Sequence, residues 1–196
     1  MSYHIYQTEG FVISSIPVSE ANRYISIYTE ELGLVRAIAQ GVRNLRSKLK
    51  HSLQDLSYTK ISFVRGRDVW RIVNAEKLTL IEHALKDREK KVFIAKIAAL
   101  IKRFVRGEER DEFLFKEIKN GLHILDNEGL TGDYLSNFEI IFVLRILKIL
   151  GYVSDDKNLK CTPFFDSFDK NQLNLTVEDR EKIMSSINNA MTHSHL

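Results

Sequence analysis

Between Tyr6 and Lys50 the chain reads Thr8-Glu9-Gly10, Glu20-Ala21-Asn22-Arg23, Tyr24-Ile25-Ser26-Ile27-Tyr28, Glu31-Leu32-Gly33-Leu34-Val35-Arg36-Ala37, then Gly41-Val42-Arg43 leading to Ser47. In the segment Tyr24 to Tyr28 the two isoleucines fall on one face of an extended chain and the tyrosines and serine on the other, the period of a half-buried strand. The same alternation, dense in β-branched and aromatic residues, predicts strands at Ile5 to Ser14, Leu34 to Gln40, Leu56 to Arg65 and Val69 to Ala75. Gly33, Gly41 and Gly66 punctuate them, where a residue tolerant of positive φ lets the chain turn. Five short strands within about 75 residues are enough for a small closed barrel, of which the five-stranded OB-fold is the one that binds oligonucleotides. An SH3-like barrel suits the pattern nearly as well.

From about Leu80 the period becomes helical. Phe93, Ile97, Leu100, Ile101 and Phe104 line one face of a helix, and Leu114, Ile118, Gly121, Leu122 and Leu125 repeat the spacing. Ser136 to Leu150 is apolar nearly all round, as in a helix covered by its neighbours, and Gly151 is placed to stop it. After Tyr152 the chain is polar to about Leu175, then helical again from near Thr176, where Thr176 and Asp179 make an imperfect capping box. The junction is a change of period between Ala75 and Glu82, with no Gly/Ser linker. The chain is thus a mixed α+β protein: an N-terminal five-stranded OB-fold β-barrel over residues 1–79, followed by an α-helical domain over residues 80–196.

A length of 196 residues allows one domain or two small ones. With 44% hydrophobic and 28% charged residues the chain is neither disordered nor membrane-spanning in composition. Its apolar runs, Val92 to Val105 and Ile140 to Leu150, are short and broken by Lys96, Lys102, Arg103, Arg145 and Lys148. Met1 to Gly10 does not read as a secretory signal, and the single cysteine, Cys161, excludes an internal disulfide and suits a reducing cytoplasm.

Charge is distributed unevenly. Residues 1–80 carry 11 Lys and Arg against 7 Asp and Glu, whereas residues 81–196 carry 18 against 19. No acidic side chain stands between Leu32 and Gln54, where Arg36, Arg43, Arg46, Lys48 and Lys50 supply five cations. Such a strand-and-loop surface suits a polyanion better than a small polar substrate, the alternative being an ordinary solvated basic face. Arg65, Arg67 and Arg71 form a second cluster around a hairpin, diluted by Asp68. Tyr24 and Tyr28 share the outward face of their strand and are candidates to stack unpaired bases, unless they pack into the sheet. Trp70, alternating with Ile72, reads as core.

These motifs, in this order and spacing, resemble the RecO family of recombination mediators over residues 1–152. The family has a strand ending in Thr-Glu-Gly, a Gly-Glu-Ala-Asp-Arg stretch answered here by Ser19-Glu20-Ala21-Asn22-Arg23, and a Leu-Gly turn answered by Leu32-Gly33. A Lys-Gly-Ala-Arg stretch before a serine is answered by Gln40-Gly41-Val42-Arg43 and Ser47, and Leu-Gly-Tyr by Leu150-Gly151-Tyr152. The resemblance implies a cytoplasmic, nucleoid-associated protein without a membrane. It implies binding of single- and double-stranded DNA and annealing of complementary strands. With RecR, such a protein helps load the recombinase RecA onto DNA coated by single-stranded DNA-binding protein. It also implies that the acidic, aromatic-ended C-terminal peptide of that protein docks on the helical part, for which Lys96, Lys102, Arg103 and Arg106 are candidates beside a plain amphipathic helix. Two departures stand out. Gln40 and Asn44 replace family cations, and where many members carry a four-cysteine zinc module this chain has Cys161 alone, so the tail is expected to be shortened and metal-free, closed by Phe164, Phe165 and Phe168.

Nothing in the sequence calls for a cofactor or for catalysis. Gly-Xaa-Ser-Xaa-Gly, His-Glu-Xaa-Xaa-His and the P-loop pattern are absent, and His4, His51, His83 and His123 are scattered. Asp155-Asp156 beside Lys157 reads as a solvated turn, and Cys161 as a small buried hydrophobe. A non-enzymatic adaptor that uses only its helical surface is the alternative function.

Overall fold

A strand of 13 residues, β1 (Ile5–Pro17), organises the N-terminal part because it is long enough to serve two neighbours. It pairs antiparallel with β4 (Tyr58–Arg65) from Ile5 to Phe11 and with β2 (Arg23–Thr29) from Gly10 to Pro17. The register shifts between Val12 and Ser14, and the bulge there bends the strand from one partner to the other. β3 (Gly33–Ala39) continues antiparallel from β2, and β5 (Trp70–Lys77) antiparallel from β4. The circle closes through a short parallel seam, Ala37 opposite Trp70 and Ile38 opposite Arg71, giving the order β1-β2-β3-β5-β4 in a closed barrel. That connectivity, with its parallel β3–β5 closure, is the OB-fold and excludes the SH3-like alternative. Each strand stands where alternation predicts it, with ends shifted by at most three residues. In this computed structural model the described residues are 4–154 and 168–193.

The barrel interior follows from the alternation: Val12, Ile25, Ile27, Val35, Ala37, Ile61, Phe63, Trp70 and Ile72 form one buried cluster. Leu53, after the short α1 (Leu49–Ser52), belongs to the same core, with Leu49 packed against it. By compactness the chain divides into two units, Met1–Ile81 with Ile94–Glu112, and Glu82–Phe93 with Phe113–Leu196. The helix α2 (Arg88–Phe104) contributes to each.

In the second unit, α3 (Glu112–Asn127), α4 (Gly132–Ile149) and α5 (Val177–His193) are the long helices. The α4 run starts four residues before the predicted Ser136 and buries Leu135, Phe138, Ile141, Phe142, Leu144, Ile146 and Leu147. Phe93 meets Phe138 and Phe142 edge-on at 5.9 Å, while those two rings stack at 5.7 Å, a geometry that suits the aromatic quadrupole. Gly121 of α3 admits the Phe142 ring, which a Cβ at that position would strike. The Leu150-Gly151-Tyr152 motif has a physical role: Gly151 takes φ +77, its N–H donates to the Lys148 carbonyl and the Tyr152 N–H to that of Leu147, a Schellman stop. The capping box forms too, with Asp179 N–H donating to Thr176 Oγ1 at 3.1 Å and Thr176 N–H to Asp179 Oδ2 at 3.3 Å.

Polar groups are buried in this unit as well. Arg145 on α4, 5% exposed, faces Glu117 on α3, 1% exposed, at 3.4 Å. The Lys90 ammonium donates to the Leu125 carbonyl at 2.7 Å, and Asp126 accepts from the Ala84 N–H at 2.6 Å. Phe168 lies edge-on to Phe138 at 6.2 Å. Cys161, Phe164, Phe165 and the Asp155-Asp156 pair, on which the metal-free tail was argued, lie outside the described residues. Among the described residues no helix is long and apolar enough to cross a membrane.

Candidate nucleic-acid interface

The predicted cations fall on a loop, on a hairpin and along a groove. The loop follows β3. Gly41 donates its N–H to Asn22 Oδ1 at 2.9 Å, Arg43 donates its N–H to the Ala21 carbonyl at 3.1 Å, and its guanidinium donates to the Ser19 carbonyl at 2.9 Å. The motif Glu20-Ala21-Asn22-Arg23 is therefore the anchor for the Gly41-Val42-Arg43 turn, and Arg43 holds the loop as well as charging it. Beyond this anchor Arg46, Lys48 and Lys50 are exposed, and Leu45 stands 93% exposed among them.

The hairpin joins β4 to β5, closed by the Gly66 N–H donating to the Val69 carbonyl at 3.0 Å. Arg67 is exposed at its tip. Arg71 lies on the outer face of β5 beside Ile38 of β3, so it shares that face with Arg36, two residues from Ile38. Arg36, Arg46, Lys48, Lys50, Arg67 and Arg71 make no ion pair among the described residues.

The groove arises because the parallel seam is only two residue pairs long, which leaves the start of β3 without a strand beyond it. The segment after α2 takes that edge. Leu34 donates its N–H to the Gly107 carbonyl at 3.1 Å, and Gly33, at φ +65, lies so close to the Glu109 backbone that a Cβ would collide with it. This brings Glu108 beside the hairpin, where it accepts from Arg65 at 2.5 Å and from the Trp70 indole N–H at 2.9 Å. The Arg65 guanidinium lies over the Trp70 ring at 4.6 Å, and that of Arg36 over Tyr24 at 4.5 Å. Between them is a concavity of about 340 Å³ lined by Tyr24, Arg36, Arg65, Asp68, Val69, Trp70 and Glu108.

Two sequence expectations change here. Tyr24 is half-buried on the groove, but Tyr28 is 1% exposed and cannot present its ring to a base. It pairs with Phe11, which also pairs with Tyr58, and these three buried rings make a second apolar layer on the outer side of the strands. Burial, with the Asp111 carboxylate in electrostatic reach, pushes the Tyr28 phenol well above its ordinary range. Arg65, in turn, already has a carboxylate partner and a ring to lie on. Trp70 is core, as its alternation predicts, while its indole edge reaches the groove. Glu108 gave no signal in the sequence, being 38 residues from Trp70.

Lys96, Lys102, Arg103 and Arg106 are all exposed on α2 and the residues just after it, and they belong with the barrel unit. Their apolar neighbours Ile97, Ala98, Leu100, Ile101 and Phe104 are buried. A peptide carboxylate would therefore find charge on this face more readily than its ring would find an apolar seat. No group of three or more His, Cys, Asp and Glu side chains among the described residues could hold a metal ion.

Residues 1–80 match the family model described as recombination protein O N terminal. The chain is similar to DNA repair protein RecO of Clostridium perfringens strain 13, with 27% identity over 146 residues, covering 74% of this chain and 58% of that protein. It is similar to the protein of the same name from Thermodesulfovibrio yellowstonii, at 27% over 154 residues, 78% and 60% of the two chains. The corresponding protein of Rubrobacter xylanophilus gives 30% over 148 residues, 76% and 58%. The chain spans less than two thirds of the length of these curated relatives. The motifs, the barrel and these matches together place the chain in the RecO family, with residues 1–80 as its N-terminal domain.

Proposed function

We propose that the OB-fold barrel, residues 1–79 in the sequence reading, binds DNA phosphates through its loop and outer face, and that the protein serves DNA repair without covalent chemistry. The observation that carries this reading is the set of exposed cations Arg36, Arg46, Lys48, Lys50, Arg67 and Arg71, none held in an ion pair among the described residues. Folding does not use their charge, so it is available to a polyanion, and each phosphate neutralised releases counterions. The relatives' name, DNA repair protein RecO, supports the biological setting. In that setting the basic surface lets two strands approach and anneal, and, with RecR, helps exchange single-stranded DNA-binding protein for RecA. Arg43 contributes through the loop it anchors, and Arg65 contributes by fixing one wall of the groove.

The test is a salt-titrated binding curve with duplex and single-stranded DNA of unrelated sequences. Replacing Arg46, Lys48 and Lys50 together by alanine weakens all of them alike and flattens the slope of log affinity against log salt by about 0.7 to 0.9 per lost contact. An unchanged slope overturns the assignment. A second reading, an adaptor recruited through the C-terminal peptide of single-stranded DNA-binding protein, is favoured by the exposed stripe Lys96, Lys102, Arg103 and Arg106. Calorimetry with that peptide, with and without its terminal aromatic, separates charge attraction from ring anchoring.

A further inference from the structure

We propose that the groove between Tyr24 and Trp70 is a subsite for one unpaired nucleobase, which gives the barrel a preference for single-stranded over duplex DNA. This deepens the DNA-binding reading above and rests on it. The two walls of the groove are built differently. On one, the Arg36 guanidinium lies on the Tyr24 ring at 4.5 Å with no ion pair among the described residues, so its far face is a planar, cationic surface open to the groove. Guanidinium planes and aromatic rings are the two surfaces on which proteins stack splayed bases, and only the flat, delocalised arginine head provides the former.

On the other wall, Arg65 is held over Trp70 at 4.6 Å and by Glu108 at 2.5 Å, and the second Glu108 oxygen accepts from the Trp70 indole at 2.9 Å. The carboxylate is thereby fixed in place from both sides. An ionised carboxylate has about four lone-pair sites, so two remain after these bonds. Glu108 and Asp68 repel a phosphate, which excludes the backbone from the groove itself. They attract instead a neutral planar group that carries N–H donors, and each nucleobase carries at least one on its Watson–Crick edge. In a duplex that edge is paired and both faces are stacked, so only an unpaired base can enter. The cavity, about 340 Å³, is large enough for one base, since ligand sites run from about 300 Å³ upward. Arg71, on the same outer face as Arg36, is positioned for the phosphates that flank it.

The experiment measures binding of the full chain, by fluorescence anisotropy, to a labelled oligodeoxycytidylate and to a strand of equal length and equal phosphate number whose sugars are abasic. Stacking of one base contributes about 1 to 3 kcal/mol, so the base-bearing strand is expected to bind about 5- to 150-fold more tightly. Arg36→Lys keeps the cation and removes the plane, and Tyr24→Leu removes the ring beneath it. Both are expected to bring the ratio of the two affinities toward one. Equal binding of both strands by the unaltered protein overturns the base subsite and leaves the phosphate reading standing. A ratio that survives both substitutions also overturns it, because the bases are then read elsewhere. Failure of either strand to bind overturns the phosphate reading and the subsite with it.

Discussion

The barrel unit and the helical unit treat charge in opposite ways. On the barrel, six cations of the loop, hairpin and outer face are exposed and make no ion pair among the described residues. In the helical unit, Arg145 and Glu117 face each other at 5% and 1% exposure, and Lys90 is buried against a helix carbonyl. A buried charge must be matched inside the protein, because its desolvation costs several kcal/mol, whereas an exposed charge is matched by water and salt until a ligand arrives. Net charge alone misses this, since it counts both kinds alike. The difference separates charge that shapes the fold from charge that is available for binding.

The sharpest way to break this comparison is to cut the buried pair. Glu117→Ala leaves Arg145 without its buried countercharge and is expected to destabilise the protein by about 3 to 5 kcal/mol, read from denaturant unfolding. Replacing both residues with apolar ones of similar volume should recover most of that loss. If Glu117→Ala costs less than about 1 kcal/mol, Arg145 is reached by water and the contrast between the units fails. Gly121→Ala tests the packing beside it: the new Cβ would strike the Phe142 ring, and overpacking of this kind costs about 1 to 3 kcal/mol.

How much of this was legible in the sequence depends on the range of the interaction. Strands and helices follow from periods of two and 3.6, so the barrel, the helix stops and the capping box at Thr176 could be read directly. Leu150-Gly151-Tyr152 was legible as a motif and the Schellman geometry explains it. The loop cations were legible because no acid stands among them. The groove was not, because it depends on Glu108 crossing 38 residues to Trp70 and 43 to Arg65, through a seam left open by a parallel pairing two residues long. Tyr28 was misread for the same reason: alternation tells which side of a strand a ring takes, but not whether another layer covers that side. The structure shows it buried in the Phe11–Tyr58 layer.

That covered layer gives a pH test. Burial raises the phenols of Tyr28 and Tyr58 above their ordinary value of 10.0, and for Tyr58 the hydrogen bond it donates to Glu9 at 2.6 Å adds to the effect. Their unfolded-state phenols ionise near 10 while the folded ones stay protonated. The unfolded state then binds fewer protons, and stability falls as pH rises above about 10, with no change from this source below it. Tyr58→Phe removes one of these groups, so the alkaline decline in melting temperature should become shallower, at the cost of about 1 kcal/mol near neutral pH for the lost hydrogen bond. An alkaline limb as steep as that of the unaltered protein would show that Tyr58 is hydrated.

The smallest expected change in stability belongs to the residues expected to matter most for binding. Arg46, Lys48 and Lys50 lie beyond the anchor that Asn22 and Arg43 provide, and no carboxylate is paired with them among the described residues. Their replacement by alanine removes neither a buried contact nor an ion pair, so each should shift unfolding free energy by no more than about 0.5 kcal/mol. Relief of repulsion among like charges on one loop could make the triple variant slightly more stable at low salt, and that gain should vanish as salt screens the cluster. Melting curves at low and high salt, taken beside the salt-titrated DNA curves, check both parts. A variant that melts as the unaltered protein does but loses DNA affinity shows that these cations serve the ligand. A variant that loses both stability and affinity shows instead that the loop's charges take part in folding, and the contrast between the two units would fail at the barrel.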